Sequence, residues 1–210
     1  MESNLFILHK SAIRYIAYAS VAFVLFLILD LDLLAALAFG FIFFAAYIFR
    51  DPEKSLKDFE KNAFVSPVDG EVLDIEYLED DTFAYKVTIA SAYQDISILR
   101  VPYSAKVQNF TTVKGTRLAM SAELFEVLNE YASYELMDDD GHIVKVVHRL
   151  SRSFAPLSLS IKESQELIKG ERCGVMLSGV TTIYLPKSFK LHLTARTTVS
   201  AGETLFGYLF

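Results

Sequence analysis

The chain has 210 residues, 52 % of them hydrophobic, a mean hydropathy of +0.32 and a formal net charge of −6. An acidic balance excludes a nucleic-acid binder, which needs a basic face. The single cysteine, Cys173, excludes an intrachain disulfide, and no His/Cys group has the spacing of a structural zinc site, so no metal is expected.

Residues 1–52 read as an N-terminal membrane anchor. Two apolar runs, Ser11–Leu29 and Leu33–Phe49, carry only Arg14 as a charge and are separated by Asp30-Leu31-Asp32. Each is close to the ~20 residues that cross a hydrocarbon layer. One helix through both would bury two aspartates, each costing roughly 3 kcal/mol. A hairpin of two transmembrane helices with the aspartates at the turn avoids that cost. Lys10 and Arg14 precede or open the first run, and Arg50, Lys54, Lys57 and Lys61 follow the second. That asymmetry places both flanks, and all that follows, on the cytoplasmic side of a bacterial-type inner membrane. The second run and the absence of a small-residue cleavage site argue against a secretory signal.

Pro52 ends the second run, and residues 53–62 form a charged linker. Residues 63–210 form one mostly β domain. Alternating segments occur at Tyr85–Ala90, Asp95–Leu99, Lys106–Val113, Ile143–Val147, Leu157–Ile161, Thr181–Leu185 and Lys190–Thr194. Short helical pieces are expected at Glu123–Tyr131 and Glu163–Leu167. Short, unevenly spaced strands with few helices between them predict an antiparallel barrel or sandwich with some α+β character. Glycine turns at Ser66-Pro-Val-Asp-Gly70 and Ser200-Ala-Gly202-Glu also occur in biotin- or lipoate-carrying domains, but no lysine sits at a hairpin tip as those require. For Gly202 a plain turn is the simpler reading.

Several fragments, in order, resemble the short bacterial form of the phosphatidylserine decarboxylase family. They are Phe49-Arg-Asp-Pro52, Ser66-Pro-Val-Asp-Gly70, Arg100-Val-Pro102 with Lys106-Val107, and Asn129-Glu130. Gly170-Glu-Arg-Cys-Gly174, Tyr184-Leu-Pro186 and Ala201-Gly-Glu-Thr204 complete the series. The resemblance implies conversion of phosphatidylserine to phosphatidylethanolamine and CO2 at a phospholipid membrane. It implies a pyruvoyl group made when a serine attacks the preceding peptide bond and the chain breaks. A homo-oligomer is allowed but not required.

The resemblance also assigns residues. Asp69 takes the processing aspartate's place, with an Asx-turn before Gly70 as the alternative. Arg100 and Lys106 are the cations expected to bind the lipid's phosphate and carboxylate, and Asn129 a polar contact to it. Where the family has a Gly-Ser pair, this chain has Ser178-Gly179-Val180. Counting from Gly170-Glu-Arg places Val180 at the serine position, and counting back from Tyr184-Leu-Pro places Gly179 there. Ser178 is the serine within one place of either, so a pyruvoyl group would come from Ser178 by cleavage after Leu177. Ser97 stands where the family has a histidine, and His148 reads as an ordinary strand residue. Two readings stay open: an enzyme processed at Ser178, or a non-catalytic relative that binds lipid or a partner at the membrane, with Ser178-Gly179 a simple turn.

Overall fold

A computed structural model describes residues 10–52, 54, 59–80 and 82–210. The chain divides into two compact units, Met1–Glu53 and Lys54–Phe210. Half of the expected charged linker, residues 53 and 55–58, lies outside the described residues.

The first unit contains α1 (Lys10–Ile28) and α2 (Asp32–Ile48). The turn between them places Asp30 in left-handed backbone at φ 54°, a conformation aspartate tolerates because its short side chain bonds locally. Phe23 packs on Phe39 and Tyr15 stacks on Phe49, each with ring centroids 5.4 Å apart. Outward lie Val21, Ile28, Leu33, Leu37 and Phe43, all more than 60 % exposed. The expectation of two transmembrane helices is corrected here: among the described residues, no helix is long and apolar enough to cross a membrane. The 17 residues of α2 rise about 25 Å, short of a ~30 Å hydrocarbon layer. The 19 residues of α1 include Lys10 and Arg14, which shorten its uncharged stretch further.

The second unit is antiparallel β throughout its named strands. They are β1 (Ala63–Val65), β2 (Gly70–Tyr77), β3 (Tyr85–Ser91), β4 (Ile98–Arg100), β5 (Ala105–Val113), β6 (Tyr131–Met137) and β7 (Ile143–Leu150). After these come β8 (Ser158–Leu159), β9 (Glu166–Leu167), β10 (Arg172–Val175), β11 (Gly179–Leu185), β12 (Phe189–Leu191), β13 (Thr198–Val199) and β14 (Leu205–Leu209). Eight of them form one sheet in the order β13-β2-β3-β11-β7-β6-β5-β9, and two three-stranded sheets run β1-β14-β12 and β4-β10-β8.

Alternation explains the large sheet. In β6 and β7 every second residue is buried, so Ala132, Tyr134, Leu136, Val144, Val146 and Leu150 enter the core while their neighbours face out. Phe64, Phe189 and Phe206 add an aromatic cluster with ring separations of 5.8 Å. Two helical expectations are corrected. Glu123–Tyr131 yields only the single turn α3 (Phe125–Leu128), because Tyr131 already begins β6. Glu166–Leu167 is not helical; it pairs with Ala105–Lys106 at the sheet edge, where ladder bonds outweigh a weak local preference.

Candidate functional site

The two glycine turns noted in the sequence clasp each other. The Gly202 N–H donates to the Ser66 carbonyl at 2.8 Å, and the Ala201 N–H donates to Asp69 Oδ1 at 2.6 Å. Thr198–Val199 of β13 pairs with Glu71–Gly70 of β2. A Cβ at Gly70 would lie 2.1 Å from the Ala90 carbonyl oxygen, so only glycine lets β2 approach β3 at that point. Asp69 is thereby held buried, 8 % exposed. Its carboxylate takes an ion pair from the Lys54 ammonium, whose side chain is also buried. The Asp69 carbonyl accepts a 2.6 Å bond from the Ser91 hydroxyl. Aspartate therefore serves here both as a turn residue and as a charge fixed at one place.

Ser178 sits on a bend between β10 and β11, outside both ladders. Its backbone is fixed from both sides: the Met176 N–H donates to the Ser97 carbonyl at 2.8 Å, and the Ser151 N–H donates to the Ser178 carbonyl at 3.1 Å. At Gly179 a Cβ would meet the Arg149 carbonyl oxygen at 2.3 Å and Met176 Sδ at 2.8 Å, so this position excludes any side chain. The half-buried Ser178 opens on a hollow of about 400 Å³ lined also by Gly70, Ser91, Asp95, Ser151 and Val180. The fold thus brings Ser178 and Gly70, the residue after Asp69, to one cavity although they are far apart in the sequence. Among the described residues no Lys, Arg or His lines it, and its charged lining residues are Glu71 and Asp95.

The other sequence-derived candidates lie elsewhere. Arg100 is buried in β4 and donates from Nη1 to the Gly170 carbonyl at 2.9 Å, tying the turn before β10 to its neighbour strand. Lys106 is exposed on β5 and lines a separate hollow of about 460 Å³ with Asp138, Asp139 and Glu166. Asn129 is 1 % exposed, and its amide is fully engaged. Its Nδ2 donates to the Leu118 and Leu150 carbonyls at 2.9 and 2.7 Å, while Oδ1 accepts from the Thr116 hydroxyl and the Leu118 N–H at 2.9 and 3.0 Å. Glu130, beside it, is buried between Lys114 and Arg117 at 2.6 and 3.2 Å. Ser97 is buried at the edge of β4.

His148 is fully buried in β7. Its Nδ1 is 2.8 Å from Thr181 Oγ1 and its Nε2 is 3.3 Å from the Tyr134 hydroxyl. Burial alone holds its pKa down to about 3, so the ring is neutral near pH 7. The sequence suggested nothing of this contact, because Thr181 lies 33 residues away from His148.

Asp138, Asp140 and His142 gather ligand-type atoms within 4.8 Å of one another at the β6–β7 turn. Desolvation raises the Asp138 pKa, but N–H donors from His142 and Asp140 outweigh it and hold the carboxyl below its ordinary range. Those bonds are the ordinary closure of an Asx turn.

The family model for phosphatidylserine decarboxylase matches residues 41–207, most of the chain. The chain belongs to the phosphatidylserine decarboxylase family. It is similar to the phosphatidylserine decarboxylase proenzyme of Oleidesulfovibrio alaskensis, at 27 % identity over 90 % of this chain and 88 % of that protein. The proenzyme of Syntrophus aciditrophicus is 26 % identical over 99 % of both chains. That of Symbiobacterium thermophilum is 29 % identical over 84 % of each.

Proposed function

We propose that this protein converts phosphatidylserine to phosphatidylethanolamine and CO2 at the cytoplasmic face of a cell membrane, after cutting its own chain at the side-chain hydroxyl of Ser178. The observation that carries the reading is the shared cavity: Ser178 and Gly70, the neighbour of Asp69, line the same space of about 400 Å³. The site fits a pyruvoyl group in two respects: the hydroxyl lies beside an amide, on a bend that no ladder restrains, and there is room for a head group in front of it. Cleavage there would leave pieces 1–177 and 178–210. When present, the pyruvoyl group supplies an electron-withdrawing carbonyl for the loss of CO2. The chain's own residues do the rest. The Ser91 hydroxyl and the Ala201 N–H hold Asp69 in place, the Lys54 ammonium pairs with its carboxylate, and the Ser151 N–H fixes the bend.

The helical hairpin supports the membrane part of the proposal. Its exposed apolar side chains are flanked by Arg14 and Arg50, a pattern suited to burying the hairpin in an anionic lipid surface.

One observation favours a second reading, a non-catalytic family member that binds at membranes. Glu71 and Asp95 give the hollow a negative lining that opposes a phosphate and a carboxylate. Incubating the full chain with phosphatidylserine vesicles decides between them. Released CO2 that is lost in Ser178→Ala supports decarboxylation through Ser178. Vesicle binding without CO2, with an uncut 23.6 kDa chain on a denaturing gel, supports the second reading and overturns the first.

A further inference from the structure

The hydroxyl equipped for self-attack is not the one facing the cavity. Nucleophile activation needs a base in hydrogen-bond contact and a third group that orients the base. Ser178 touches no imidazole among the described residues. Thr181, three positions on, has both elements: its Oγ1 is 2.8 Å from His148 Nδ1, and His148 Nε2 is 3.3 Å from the Tyr134 hydroxyl. All three side chains are essentially inaccessible, at 0 to 1 % exposure. For an enzyme acting on an external substrate such burial would be fatal. For attack on the residue's own preceding peptide bond it is an advantage, because no substrate enters and water is excluded until the bond has shifted.

We infer that His148 and Thr181 are the base and nucleophile of a self-cleavage at the Val180–Thr181 bond, which leaves a 2-oxobutanoyl end in place of a pyruvoyl one. The inference rests on the reading that this chain processes itself, and it moves the point of processing. The chemistry balances without an added oxidant. Thr181 Oγ gives its proton to His148 Nδ1 and attacks the Val180 carbonyl carbon. The amide C–N bond breaks as the ester forms, and the imidazole returns the proton to the new Thr181 amine. His148 then takes the Thr181 α-proton as the Cβ–Oγ bond breaks, which expels the Val180 carboxylate and leaves a 2-aminobutenoyl end. One water hydrolyses that enamine, releasing ammonia and leaving the 2-oxobutanoyl ketone.

Three features of the fold support this geometry. Thr181 is paired on one side with Ile89 and on the other with His148 itself, so nucleophile and base are register neighbours. Val180 is paired with Ala90 and Arg149, and in a strand flanked on both sides each carbonyl takes a ladder N–H, which polarises it for attack. Val180 also lines the cavity, so the new chain end starts one residue from the space where a head group would lie. His148 is neutral at physiological pH through its burial, which leaves a nitrogen lone pair available for the hydroxyl proton.

The test is the intact mass of the purified full chain after denaturation. Pieces 1–180 and 181–210 are expected, with a summed mass equal to that of the uncut chain plus water minus ammonia. Borohydride should add two hydrogens to the smaller piece. Thr181→Val should stay whole, and His148→Asn should cut at least ~100-fold more slowly. Thr181→Ser keeps the hydroxyl, and its smaller piece should still begin at residue 181, now with a pyruvoyl end, a readout that survives if the valine variant misfolds. A cut at 177/178 abolished by Ser178→Ala overturns this inference and leaves the Ser178 reading standing. An uncut wild-type chain overturns both. A Thr181→Ser chain whose smaller piece begins at residue 178 overturns this one alone.

Discussion

Asn129 offers the sharpest separation between a substrate-binding and a structural role. Its motif suggested contact with the lipid, yet its four amide bonds all go to the protein, to Thr116, Leu118 twice and Leu150. A net contribution of about 1 kcal/mol per bond gives about 4 kcal/mol for Asn129→Ala, since the Leu150 carbonyl and the Leu118 groups lose partners they cannot replace. With a urea slope of about 2 kcal/mol per molar for a unit of this size, the midpoint should fall by about 2 M at constant slope. The chain has no tryptophan, so far-UV circular dichroism is the probe. The residual folded protein should bind phosphatidylserine vesicles with unchanged affinity. A midpoint shift under ~0.5 M together with clearly weakened lipid binding would refute the reasoning and return Asn129 to the substrate site.

Two further outcomes follow from the same geometry. His148 has a folded pKa of about 3 against an ordinary 6.5, so below pH 6.5 the unfolded chain takes up a proton that the native core refuses. Stability should therefore be complete above that value and fall by up to ~1.4 kcal/mol per pH unit down to about 3, a slope that acid titration of His148→Asn should reduce. Gly179→Ala should cost about 3 kcal/mol in urea denaturation, because its methyl would collide with the backbone oxygen of Arg149 at 2.3 Å.

The strands with clear alternation were legible from the residues alone. Tyr85–Ala90, Lys106–Val113 and Thr181–Leu185 each lie within an observed strand to within a residue or two. β6 was not, because Tyr131 to Met137 follows a run that reads as a helix and its buried partners include the weakly patterned Ala132. β9 was missed because a two-residue edge strand is made by its neighbour, not by its own composition. At the site, the motifs correctly pointed to the segments that meet, the Ser66–Gly70 and Ala201–Gly202 turns. They did not reveal that the Asn129 amide is spent on Thr116, Leu118 and Leu150, or that Arg100 caps a carbonyl. Those facts depend on partners at positions 118, 150 and 170, distant in sequence and fixed only by folding.

The position of β11 decides how a severed chain would behave. Seven register pairs join it to β3 and six to β7, while β14, further along the same C-terminal stretch, zips to β1. A break just before or inside β11 would therefore give two polypeptides that travel as one particle through any column run in native buffer. Their association would be a matter of sheet cohesion, not of covalent continuity. Unfolding such a nicked molecule would scatter its halves, and reassembly would then depend on protein concentration where the unbroken chain's does not.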